Sequence, residues 1–522
     1  MRIKTARPLT VTAVLALTLS ACGGGGDSNG GTPGEGGGGE LSVAWNANPP
    51  TLDPLVTTST ATRDISRHFF EPLITIDGDG EIQPVLAEDW EVSEDGLDIV
   101  FTLREGVLFH DGTEMEAEDV VASLQRWIDE SNIGQSYFTE AEVNGEGNTV
   151  TVTLEEPMYV APQLLADQAQ LPMIMPAEIA ESAPPEGLEE YVGTGPYEMA
   201  TWQVDQYVEL ERFEDYESPE GEPNGTAGEK NPYYDTIMME IINDSSTRLS
   251  GLQTGEYDIV YSVPFDNMAQ LEDDDSVEVI AAESGPLQAY FNKAEGPMSE
   301  LPMRQAVVAA MNANDIMISA YAEEQYYTTN GALMPEDSVW YSDANMEIRD
   351  ESGPEDVEAF LEEADYDGET IRIITTQEYD HIYQSSVMLQ EQLNEAGINT
   401  ELNVYDWPTV LQDRENPEAY DIFITGFTPV AVPVTFVFLH PTWAGWTDDE
   451  DIQAAIDTVT SAEDEEGALE GAQDLQVAYY DYLPAAKFGE ATSTVGYQAE
   501  LEGIDFAPIS GVHFWNVRPA ED

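Results

Sequence analysis

Apolar and polar positions in this chain switch between two spacings, and the switches predict its elements. Short runs rich in Val and Ile read as strands: Leu41–Trp45, Leu73–Asp77, Ile99–Leu103, Ile371–Thr375 and Asn399–Val404. Between them, helices are predicted over Asp64–Phe70, about Ala117–Asp129 and about His381–Ala396. Gly78-Asp79-Gly80 separates Leu73–Asp77 from Ile82–Ala87 and reads as a hairpin turn. A calcium loop at Asp77 and Asp79 would need later ligands and a terminal glutamate that are missing. Strands alternating with helices mean α/β architecture. A single core stops growing beyond roughly 250–300 residues, so a chain of 522 residues implies at least two lobes.

The first 40 residues follow neither spacing. Arg2, Lys4 and Arg7 precede an apolar run from Leu9 to Leu19, and Leu19-Ser20-Ala21-Cys22 follows. The run is too short to cross a bilayer, which takes about 20 apolar residues, and its flanks are those of a signal peptide. Leu19–Cys22 resembles a bacterial lipobox, which implies cleavage after residue 21 and a diacylglyceryl group on the Cys22 sulfur. Two acyl chains would anchor the protein stably, where one would be marginal. Cys22 is the only cysteine, so no intramolecular disulfide can form. Residues 22–40 are almost entirely Gly with polar residues and read as a flexible tether. A phosphate loop is excluded there, since no strand precedes these glycines and no Lys-Ser or Lys-Thr follows.

Composition changes the picture in one respect. With 17 Lys+Arg against 103 Asp+Glu the formal net charge is −86, and the leader carries three of the cations and no acid. Only Lys4, Lys230, Lys293 and Lys487 are lysines, and acidic blocks such as Glu272–Asp275 and Asp448–Asp451 are spread along the chain. Such a surface repels nucleic acid and anionic lipid, leaving the lipid anchor as the one expected membrane contact. It reads as adaptation to salt, because the Debye length falls to about 3 Å at 1 M and most of the mutual repulsion disappears. The 42% hydrophobic fraction still allows a large core.

Leu103-Arg-Glu-Gly-Val-Leu-Phe-His-Asp-Gly-Thr-Glu-Met-Glu-Ala-Glu-Asp-Val-Val-Ala-Ser123 resembles the signature of the extracellular solute-binding proteins that serve dipeptide, oligopeptide and nickel ABC importers. Val192–Tyr197, Arg248–Ile259, Tyr290–Asn292 with Met303–Ala306, and His513–Trp515 are similar to later segments of that family, in order. The resemblance implies a two-lobed periplasmic binding protein fold of type II with an extra subdomain in the first lobe. On that basis residues 41–283 and 493–522 form lobe I, residues 81–186 its insert and residues 284–492 lobe II. The chain would cross between lobes near Ser284-Gly285-Pro286 and near Thr492, making a hinge around a ligand trap. Implied partners are a peptide or small-molecule ligand and permease subunits with their ATPase. The protein would be a monomer on the extracellular face of the membrane.

Clefts of this kind are lined by aromatic and a few polar groups. Matching the family pattern nominates Thr57, Thr58, Ser59 and Thr60; Tyr379 to Tyr383 with Glu378; and Phe427 and Thr428 with Trp443 and Trp446. Phe291 and Asn292 lie at the lobe boundary. Trp45, Trp90 and Trp127 are expected in packing. Two departures from peptide-binding members stand out: no acid follows Phe427 as far as Pro433, and Glu378 aligns where dipeptide binders carry an arginine. Neither end charge of a dipeptide then has an evident partner, which ranks oligopeptide first, oligosaccharide second, a small cationic solute third and free dipeptide last. No cofactor or metal is expected, since the five histidines are widely spaced. The hydrolase alternative lacks His-Glu-x-x-His, Gly-x-Ser-x-Gly and Walker motifs. A tethered sensor would use the same fold and sites.

Overall fold

A computed structural model describes residues 38–271, 274–507 and 509–520. The expectations for the leader, Cys22 and residues 23–37 of the tether lie outside the described residues. At the centre is one sheet of eleven strands. In spatial order ten of them are Tyr197–Gln203, Tyr207–Arg212, Thr236–Ile241, Glu40–Trp45, Ile259–Tyr261, Ala485–Gln498, Val277–Phe291, Ile422–Gly426, Ile371–Thr376 and Thr400–Tyr405. The eleventh, Tyr327–Thr328, pairs with Ala485–Gln498.

Two strands are far longer than the rest, Val277–Phe291 with 15 residues and Ala485–Gln498 with 14. They run antiparallel from Val277 opposite Gln498 to Tyr290 opposite Ala485. At one end Ala485–Gln498 pairs with Ile259–Tyr261, and at the other Val277–Phe291 pairs with Ile422–Gly426. The chain therefore passes between two halves of the sheet along these strands. Register slips between Glu283 and Gly285 and between Leu287 and Gln288, in the stretch where the chain crosses. On each side three strands lie parallel: Thr236–Ile241, Glu40–Trp45 and Ile259–Tyr261 in one half, Ile422–Gly426, Ile371–Thr376 and Thr400–Tyr405 in the other. Inner strands such as Ile371–Thr376 are buried beneath helices and carry apolar residues accordingly; Ile371, Ile373 and Ile374 are all at most 1% exposed.

A separate antiparallel sheet, Ala87–Val92, Asp98–Leu103, Thr149–Thr153 and Glu142–Glu146, packs against helix Ala117–Glu130. The helix starts in a reciprocal capping box between Glu116 and Asp119. Its Trp127 is fully buried and donates its indole N–H to the Gln170 carbonyl at 2.6 Å. Trp45 is buried and Trp90 half-buried, as packing residues should be.

The hairpin at residues 74–84 forms, and the Asp77 carboxylate is consumed by it, accepting from the N–H groups of Asp79 and Glu81 and the Gln83 amide. Among the described residues no group of three or more His, Cys, Asp or Glu is placed to hold a metal. One predicted helix is displaced. Asp64–Phe70 is observed as Thr60–Ser66, because Ser59 in extended conformation starts the helix four residues early. That shift puts Arg63 inside the helix, which matters for the cleft.

Candidate functional site: a cleft at the strand ends

In open α/β sheets ligands bind beyond the carboxyl ends of parallel strands, where helices begin and backbone groups are free. Here strand Ile259–Tyr261 is followed by Ser262, Ile371–Thr376 by Tyr379 and His381, Thr400–Tyr405 by Trp407, and Ile422–Gly426 by Phe427 and Thr428. All of these residues line one cavity, together with Thr58, Thr60 and Arg63 from the first half and Arg414 at the end of helix Trp407–Asp413. The cavity holds about 860 Å³ of empty space, counting its open mouth.

The walls are aromatic and the charges few. Trp45 stacks on Tyr261 with ring centroids 4.3 Å apart, and Tyr379 meets Trp407 edge to face at 5.2 Å. Arg63 bonds Asp64 at 2.7 Å and donates to the Thr428 hydroxyl across the cleft. Arg414 lies over the Trp443 ring at 5.0 Å, donates to the Thr58 hydroxyl at 3.2 Å and meets Glu415 at 3.1 Å. Both arginines thus tie one half of the molecule to the other. Their salt partners differ: Asp64 is buried, whereas the Glu415 side chain is 54% exposed and its charge is screened by water. Burial draws the Arg414 pKa down, and the guanidinium stays charged. Glu283 also lines the cavity, its pKa raised by burial and by the Glu490 and Asp337 carboxylates.

Of the residues nominated from sequence, Thr58, Thr60, Tyr379, Phe427 and Thr428 line the cavity. Thr57 instead accepts the Ser59 N–H at 3.2 Å, and Ser59 is buried. Trp443 stands behind the wall, packed on Phe423, Phe427 and Tyr290, and Trp446 stacks on Tyr420. Phe291 is in the core. The Asn292 amide holds a turn by donating to the Pro417 and Tyr420 carbonyls at 2.7 and 2.9 Å. Tyr383 is half-buried on helix Asp380–Glu395, outside the lining. Glu378 is occupied structurally: its carboxylate accepts from the Asn243 amide at 2.6 Å and the Trp407 N–H at 3.1 Å.

The expectation that a ligand carboxylate finds no cation is corrected by the structure. Arg63 and Arg414 line the cavity, from segments that no motif singled out.

Comparison with known proteins agrees with this architecture. The sequence pattern of the bacterial extracellular solute-binding proteins, family 5 Middle, matches residues 81–449. A "probable peptide ABC transporter periplasmic-binding protein" of Sinorhizobium fredii is 26% identical over 498 residues, 91% of this chain and 92% of its own. A glutathione-binding protein of Escherichia coli O1:K1 is 29% identical over 374 residues, 70% of each chain. Among solved structures, the periplasmic binding protein of Helicobacter pylori in complex with the peptide STSA superimposes with a TM-score of 0.81, covering 93% of this chain and 99% of that one at 22% identity. That likeness establishes the fold, mixed α/β of the periplasmic binding protein type.

Proposed function

Because the chain belongs to the bacterial extracellular solute-binding proteins of family 5, a family that captures solutes and does not transform them, we propose that it is the binding component of a peptide ABC importer. The observation that carries this reading is the cavity at the converging strand ends, with Arg414 as a desolvated cation whose own partner is exposed. A carboxylate entering there would complete a charge-assisted pair in a dry site, and such bonds are about twice as strong as neutral ones. The cationic solute is disfavoured for the same reason. The names of the Sinorhizobium and Escherichia relatives support a peptide or glutathione-like ligand.

The halves on either side of the two long strands act as lobes, residues 41–283 with 493–522 and residues 284–492, closing on the ligand at the slipped register around Gly285. Cys22 carries the lipid that holds the protein to the extracellular face of the membrane, and the acidic surface is an adaptation to salt. The permease with its ATPase is the partner.

A thermal-shift panel tests the ligand class, with di-, tri- and longer peptides, glutathione, oligosaccharides and cationic amino-acid derivatives. A ligand at a hundredfold excess over Kd adds about 2.7 kcal/mol. Peptides should raise the midpoint; a response to sugars alone overturns the reading, and a chemically altered ligand recovered by mass spectrometry makes the protein an enzyme. Fractionation of cells expressing Cys22→Ser tests the anchor. The variant should leave the membrane fraction, and a variant that stays there argues against lipidation.

A further inference from the structure

The cleft does not end at Arg63. A second space of about 500 Å³, mouth included, opens from it past Thr58, Thr60, Arg63, Gly426, Phe427 and Thr428, which line both. Beyond that shared rim the annex is walled by Ala169, Pro429, Val430, Thr435 and Val437, and by one acid, Asp167.

Asp167 is 2% exposed. Its carboxylate accepts the Ala169 N–H at 2.9 Å. The Thr435 hydroxyl stands beside it and shares its single proton between Asp167 and the Val432 carbonyl at 2.9 Å. Among the described residues no cation pairs with Asp167, and the nearest positive charge, Arg63, is held by Asp64 at 2.7 Å. A carboxylate accepts about four hydrogen bonds, so this one is left short of donors in an otherwise apolar space that a ligand can enter. Burial pushes its pKa up to about 6, so it is ionised at neutral pH without a neutralising partner. A buried anion in that condition is costly to the empty protein and is relieved by an incoming cation.

We propose that Asp167 is the residue that reads the ligand's ammonium group in this annex, leaving the ligand's carboxylate to Arg414. The two receptors come from opposite halves of the molecule. A ligand carrying both groups therefore bridges the cleft and is oriented by it, amine toward Asp167 and carboxylate toward Arg414. The ligand class narrows to peptides and peptide-like amino acids with a free amine. Glutathione qualifies, and N-blocked peptides and neutral sugars do not. This inference rests on the peptide reading of the cleft and adds to it a direction of binding.

Asp167→Asn keeps the acceptor for the Ala169 N–H and removes only the charge. Trialanine and glutathione, each with its N-acetylated form, are titrated calorimetrically into the parent chain and the variant. In the parent, acetylation should weaken binding at least tenfold. In Asp167→Asn the free peptide should bind as weakly as the acetylated one does to the parent, with no further loss on acetylation. The variant's thermal midpoint without ligand should not fall, which separates a lost contact from a lost fold. Acetylated and free peptides binding the parent alike, or the variant still preferring the free amine, overturns the assignment of Asp167 while the peptide reading stands. If neither trialanine nor glutathione binds in any form, the peptide reading falls and this inference with it.

Discussion

Gly285 offers a way to perturb the cleft from the strand that joins the two halves. It has a φ of +88°, and a β-carbon built there would lie 2.3 Å from the Phe427 carbonyl oxygen and 2.7 Å from the Pro429 nitrogen. Those are backbone atoms of the loop that carries Phe427 and Thr428 into the cavity, so no rotamer change can make room. Gly397 has the same φ of +88°, yet nothing lies within 4 Å of its β-carbon position. Alanine at either site pays about 1–2 kcal/mol for left-handed backbone. At Gly285 the loop must also move by about 1 Å, and overpacking of that kind costs about 1–3 kcal/mol more. Gly285→Ala should therefore lose about 2–5 kcal/mol and Gly397→Ala about 1–2, read as urea midpoints at constant slope. Only Gly285→Ala should weaken peptide affinity in calorimetry. Equal losses of stability with affinity intact in both variants would refute the link between this crossing and the cleft.

Three further outcomes follow from the same structure. His68 is fully buried, and burial holds its pKa down to about 3 against an ordinary 6.5, so the unfolded chain binds a proton that the folded one refuses across that interval. Its contribution is intact above pH 6.5 and falls by about 5 kcal/mol as pH drops to 3, at 1.36 kcal/mol per pH unit. Acid unfolding curves of His68→Gln should be flatter over that range, and an identical slope contradicts the assignment. Lys230 meets Glu71 at 2.6 Å with both side chains at most 3% exposed, and Glu71 also accepts from the Thr194 and Tyr216 hydroxyls. Lys230→Met should cost about 3–5 kcal/mol by stranding the carboxylate, and adding Glu71→Gln should restore most of it; no restoration means the loss is one of packing. With a formal charge of −86, the thermal midpoint should rise as sodium chloride increases toward about 2 M, and a flat or falling midpoint leaves the acidity unexplained.

Elements with strong local spacing were legible in the sequence. Helix 117–129 is observed as Ala117–Glu130 and helix 381–396 as Asp380–Glu395, because each has an apolar stripe that its sheet requires, and the first also starts in a capping box. The early start of Thr60–Ser66 was hidden because Ser59 caps through its backbone conformation without a side-chain hydrogen bond. In the site, aromatic and threonine residues just after strands could be found by pattern, as Tyr379, Phe427 and Thr428 illustrate. Charge recognition could not. Arg63, Asp167 and Arg414 are far apart in the chain and meet only through the fold, and each is a single ordinary residue in its own segment. Glu378 shows the converse: an alignment position suggested ligand contact, while the side chain is spent on Asn243 and the Trp407 N–H. Trp443 serves the site indirectly, as the surface on which Arg414 lies.

The most direct test of the account is a calorimetric titration of trialanine and its C-terminal amide into the parent chain and into Arg414→Met. A charge-assisted hydrogen bond contributes about 1.5–3 kcal/mol, which is roughly a 10- to 150-fold change in Kd. The parent should bind the free acid at least tenfold more tightly than the amide, and Arg414→Met should bind both equally and weakly. Binding of the amide as tight as that of the acid, or a preference for the acid that survives loss of Arg414, contradicts the claim that this cleft holds a peptide by its carboxylate.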